Sequence, residues 1–204
     1  NITNLNLYKD RLIVKHEGLT GTSTTNADLG VYDADDDSDI QFQSNANVLN
    51  VRATTTLYIA PGSEFKPGGA VTLHGNKGAA NGDGDLRLPT GLRQDNIGTT
   101  SILTMGANAL TLAGNWFASS TSIFTHTGTV TFNSTSTAQK LIVATSSPFS
   151  TLTFNGVAGS WSFGAHTATT SSAFTITNGT VTAPSTVFSI GGNYTQNGSF
   201  TDNG

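Results

Sequence analysis

Cysteine is absent from the 204 residues, and methionine occurs once. Without thiols there is no disulfide framework, no thiolate metal site and no cysteine nucleophile. Charge is scarce as well. Lys, Arg, Asp and Glu make up 11% of the chain, against about 25% in ordinary soluble domains. The balance is acidic, −4 with a pI near 5.3, which counts against a nucleic-acid or anionic-membrane partner. No apolar run approaches the roughly 18 residues of a helical membrane span. Neither an initiator Met nor a signal peptide opens the chain, so Asn1 is expected to begin a processed or excised segment. Helical spacing of apolar residues is missing too, which excludes an amphipathic helical bundle.

What fills the chain instead is Ser and Thr, roughly a quarter of all residues, with abundant Asn and 23 Gly. Eleven Phe, four Tyr and two Trp, spaced among Val, Ile and Leu, supply enough apolar surface to exclude disorder. Short alternating segments such as Leu12–Val14, Ile40–Phe42, Val71–Leu73, Leu110–Leu112, Thr129–Phe132, Thr151–Phe154, Phe174–Ile176 and Val187–Ile190 predict half-buried strands. Gly, Asn, Asp, Ser or Pro separates them, so the fold class is all-β. After Asp95 the only charged residues are Lys140 and Asp202. The composition therefore divides a charged β segment, 1–98, from a nearly uncharged one, 99–204, across which the strand pattern runs unchanged.

One phrase recurs. Ala70-Val71-Thr72-Leu73-His74-Gly75-Asn76 is echoed at Ala109-Leu110-Thr111-Leu112-Ala113-Gly114-Asn115, 39 residues on. It returns at Val187-Phe188-Ser189-Ile190-Gly191-Gly192-Asn193, a further 78 on, with a degenerate copy at Thr151-Leu152-Thr153-Phe154-Asn155-Gly156. Multiples of 39 predict a β-solenoid whose coils stack, with Leu73, Leu112 and Ile190 pointing inward at equivalent places. Trp116 and Tyr194, which follow their Gly-Asn pairs, are then expected to be equivalent as well. A β-sandwich shares the short strand spacing and is the alternative.

The second half, above all Leu110-Thr111-Leu112-Ala113-Gly114-Asn115-Trp116 and Gly128-Thr129-Val130-Thr131-Phe132-Asn133, resembles the Gly-Asn-Trp repeats of large secreted, adhesin-like bacterial surface proteins. That resemblance implies an extracellular structural or adhesive segment of a cell-surface protein or filament, with no catalytic residues. Two other readings are a pilus-like fibre subunit assembled by strand exchange and a carbohydrate-active β-helix enzyme. The expected partners are further copies joined end to end or a longer parent chain, and surface glycans.

The densest chemical feature is Asp33-Ala34-Asp35-Asp36-Asp37-Ser38-Asp39. Carboxylates at alternate positions can wrap a hard cation, so Asp33, Asp35, Asp37 and Asp39 are candidate Ca²⁺ ligands. Ser38 and Ser44 stand where an EF-hand needs Gly and Glu, so the loop is not an EF-hand. Asn81, Asp83 and Asp85, interleaved with glycines, form a second candidate cation loop. His16, His74, His126 and His166 share no ligand spacing and read as turn or face residues. Trp116, Phe117, Trp161 and Tyr194 read as core filling rather than sugar platforms. Thr-x-Thr pairs recur, at 125/127/129/131, 151/153, 167/169, 175/177 and 180/182. On a flat face they would form a hydroxyl lattice, as in some ice-binding proteins. They keep no fixed period, however, and read as β-branched residues on outer strand faces.

Overall fold

A computed structural model describes strand segments 7–8, 12–14, 30–32, 39–42, 49–51, 57–59 and 64–66, then residues 70–73, 86–88, 100–144 and 148–203. Among these every regular element is a strand, and every strand pairing is parallel. The chain visits three walls in turn. Wall A holds β1 (Leu7–Tyr8), β3 (Gly30–Tyr32), β6 (Leu57–Ile59), β9 (Leu86–Leu88), β12 (Trp116–Ala118) and β15 (Lys140–Ala144). Wall B holds β2 (Leu12–Val14), β4 (Asp39–Phe42), β7 (Glu64–Lys66), β10 (Ile102–Gly106) and β13 (Ile123–His126). Wall C holds β5 (Leu49–Val51), β8 (Val71–Leu73), β11 (Leu110–Leu112), β14 (Thr129–Phe132) and the first parts of β16 (Thr151–Ser162) and β18 (Phe174–Thr182), then β20 (Tyr194–Gln196). Further along, β17 (Ala168–Thr170) and β19 (Phe188–Ile190) pair with each other and take the place of wall B in the chain order. Finally β21 (Ser199–Thr201) pairs with Thr180–Thr182 of β18.

This is a β-solenoid, as the alternation and repetition predict. Parallel strands cannot be joined by hairpins, and here each strand runs through a corner into the next wall and returns one coil later. Three-residue strands suffice, because every coil presents a pleated edge to its neighbours. Both β16 and β18 turn a corner within one strand: the start of β16 pairs with β14 on wall C, and its end, at Trp161 and Ser162, pairs with β15. That corner is glycine-dependent. Gly179 has φ +85°, and a Cβ there would lie 2.6 Å from the Gly159 carbonyl oxygen and from the Trp161 ring.

The repeat length needs correcting. Down wall C, Leu110 pairs with Val130, Val130 with Leu152, Leu152 with Phe174 and Phe174 with Tyr194, steps of 20, 22, 22 and 20 residues. The step of 39 from Val71 to Leu110 is a single coil lengthened by extra residues on either side of β9. Leu73 and Leu112 are register partners, both fully buried, as expected. Ile190 is not their equivalent: it pairs with Thr170 of β17 and is only half-buried. Likewise Trp116 follows a turn into wall A, whereas Tyr194 follows a turn into wall C. The recurring phrase marks a strand followed by a Gly-Asn corner, whichever wall it leaves.

Inside, inward positions form columns. Leu73, Leu112, Phe132, Phe154 and Ile176 succeed one another on wall C, each buried, with Val71, Leu110, Val130, Leu152 and Phe174 beside them. Phe132 and Phe154 stack at 5.1 Å with 12° between planes, and Phe154 also meets Trp161, Phe163 and Phe174 at 5.0–6.1 Å. Trp116 packs edge-on against Phe124 and Phe149. Both tryptophans are thus core, at 1% and 0% exposure. Pairings β7–β10, β8–β11 and β9–β12 run across residue 98, where the composition changes.

Candidate functional site

Between the buried inward residues of wall C lies its outer face. From β8 onward the middle residue of each strand points away from the core, and down the wall these residues are Thr72, Thr111, Thr131, Thr153, Thr175 and Thr195, each in register with the next. All but Thr195 are half-buried, shielded on two sides by their own neighbours in the column, and Thr195 at the end is exposed. The missing fixed period in the sequence is therefore no obstacle to a lattice. Coils of unequal length absorb their differences at the corners, and the walls stay in step.

Flanking positions are small. Thr129 and Thr151 pair on one side of the column, and the carbonyls of Ala109, Ala173 and Asn193 accept the backbone N–H bonds of the adjoining strands there. On the other side Asn178 donates to the Asn155 carboxamide oxygen at 2.8 Å. The described strands of wall C carry no charged residue. Of the two charged residues after Asp95, Lys140 is buried at the start of β15, leaving Asp202 exposed.

A second chemical feature sits at the corner after β13. The His126 ring stacks on Phe124 at 4.1 Å, and its Nε2 accepts the backbone N–H of Ser150 at 3.0 Å. That acceptor role leaves the neutral ring's proton on Nδ1, which is buried without a partner. Burial against the two phenyl rings pushes the His126 pKa down to about 4. Singling out histidines by ligand spacing gave no hint of this environment. Apolar neighbours at Phe124 and Phe149, reached through the fold, create it.

The acidic loops fall mostly outside the described residues: Asp33, Asp35 and Asp37 of the first, and Asn81, Asp83 and Asp85 of the second. The topology still locates both. The first joins β3 on wall A to β4 on wall B, with Asp39 opening β4 in register with Glu64 of β7. The second lies in the lengthened coil, directly before β9. Among the described residues no group of three or more His, Asp or Glu comes together as a metal site, and no helix is long and apolar enough to cross a membrane.

At the far end the column closes differently. Tyr194, over Phe174 in a stack of 5.5 Å and 8°, is 45% exposed where Phe174 is 0%. Gln196 takes the inward place below Ile176, its side-chain oxygen accepts the Tyr194 hydroxyl, and its amide donates to the Gly198 carbonyl. Val187 is 57% exposed, and Phe188, Ile190 and Phe200 are only partly covered.

Three parallel walls, inward apolar columns and an outward threonine column define a β-solenoid with an ordered polar face. No protein-family model, no curated protein and no solved structure matches the chain.

Proposed function

We propose that this chain is a structural and adhesive segment of an extracellular, cell-surface assembly, extended by stacking a further coil upon its last one. The observation that carries this reading is the contrast between successive coils. Phe174 is sealed by the coil after it, whereas Tyr194 and Val187 are exposed and Phe188 and Phe200 are only partly covered. Strands β19, β20 and β21 each pair on one side, leaving backbone donors and acceptors free along the other. A parallel strand laid there continues all three walls, whether it comes from the parent chain or from another copy. The low charge removes a barrier to such contact.

Calcium belongs to this reading as a stiffener of the first half. Asp33, Asp35, Asp37 and Asp39, at alternate positions in the sequence, are its candidate ligands. Light scattering and negative-stain imaging across a concentration series test the extension. Particles lengthening with concentration are expected. A monodisperse monomer whose last-coil amides resist hydrogen exchange as well as the central ones would overturn it, because that edge would already be closed.

A further inference from the structure

We propose that the threonine column of wall C is a binding face for ice. Its spacing comes from the backbone: parallel strands lie about 4.7–4.9 Å apart, so six hydroxyls in register repeat at that interval. Water oxygens joined tetrahedrally by O–H···O bonds of about 2.75 Å place second neighbours about 4.5 Å apart. The mismatch is about 0.3 Å per rung and reaches about 1.5 Å over the column, under half of one repeat. All six hydroxyls can thus meet one row of the lattice without losing step. Threonine suits the task chemically, since its branched Cβ restricts χ1 and limits the directions each hydroxyl and methyl can take.

A second observation concerns the hydroxyls. At two places off this wall they bond to one another: Thr201 donates to Thr182 at 3.2 Å, and Thr167 and Thr186 share a hydrogen bond at 3.3 Å. On wall C, among the described residues, Thr111, Thr131, Thr153, Thr175 and Thr195 spend no hydroxyl on another side chain, so their donors and acceptors face solvent. A neutral ligand suits the face, because the described strands of wall C carry no charged residue. A polysaccharide fits less well. Sugar rings are gripped by exposed aromatic faces, yet the phenyl rings of this wall, Phe132, Phe154 and Phe174, are fully buried on the opposite side of the strands. The proposal does not depend on what covers the last coil.

Slow directional freezing of a dilute solution of the full chain, with assay of protein in ice and in residual liquid, tests it. Wild type is expected to be enriched in the ice, and Thr131→Lys and Thr153→Lys to lower that enrichment about ten-fold. Thr125→Lys, on the exposed face of wall B, is expected to behave as wild type. Circular dichroism establishes folding for each variant. Should a central lysine prevent folding, Thr195→Lys on the exposed last coil carries the same expectation at smaller amplitude. Exclusion of wild type from ice, equal enrichment of the wall C variants, or retention on crystalline chitin in place of ice each overturns the proposal.

Discussion

His126 shows how one side chain can take its chemistry from neighbours far away in sequence. Its Nε2 accepts a hydrogen bond in the fold, and burial holds the ring neutral down to about pH 4, whereas an unfolded histidine titrates near 6.5. As pH falls below 6.5, the unfolded chain gains a proton that the folded one refuses, so stability declines until about pH 4 and this contribution then levels off. A shift of this size corresponds to about 3 kcal/mol, and partial solvent contact reduces it to about 1–2 kcal/mol. His126→Gln is expected to remove that part of the slope between pH 6.5 and 4 in urea titrations. A variant whose stability runs parallel to wild type across this window would show that His126 is not the group refusing the proton. At this scale the sequence was informative about burial class and poor at partners. Trp116 and Trp161 read correctly as core, but nothing near Ser150 in the sequence marks it as the donor to His126.

Along the strands, energy resides in the columns rather than in single coils. Phe154 stacks on Phe132 and touches three more aromatic rings, with 0% exposure. Phe154→Ala is expected to cost about 3–5 kcal/mol, read from denaturant midpoints, since the coils on both sides hold the cavity walls in place. A cost below about 1 kcal/mol would mean that the corner residues collapse into the space. Elements with an apolar-polar-apolar core, such as Val71–Leu73 and Leu110–Leu112, were legible because alternation alone specifies their burial. Strands such as Trp116–Ala118 and Ala168–Thr170 were not, because the first is apolar at its outward middle position and the second has a single apolar residue, so neither alternates. Missing them made the coil seem longer than it is. The 39-residue spacing then passed for a period, although one lengthened coil and near-doubled short ones produce it. The threonine column was hidden for the same reason: register is kept by the ladders, and only their pairing reveals it.

For the molecule as a whole, the acidic segment between β3 and β4 in the sequence is where a response to ions is expected. Saturating Ca²⁺ is expected to raise the melting temperature by several degrees relative to EDTA, as binding to the folded state alone requires. Identical melts in CaCl₂ and EDTA would dismiss the site. Asp33→Asn with Asp35→Asn is expected to abolish the difference between the CaCl₂ and EDTA melts. One feature of the walls has a mechanical side. Every strand lies across the stacking direction, so a pull along the stack opens the hydrogen-bond ladders of a coil one after another instead of shearing them together. Each coil adds about 4.8 Å to the folded length and stores roughly 70 Å of extended chain, taking about 20 residues at about 3.4 Å each. A tether built this way yields gradually under load, lengthening in steps of that size while the coils still stacked remain intact. A pulling trace with a single full-length rupture would contradict it. Tension along the stack would then be met by paying out chain, one turn at a time, from whichever end is loaded.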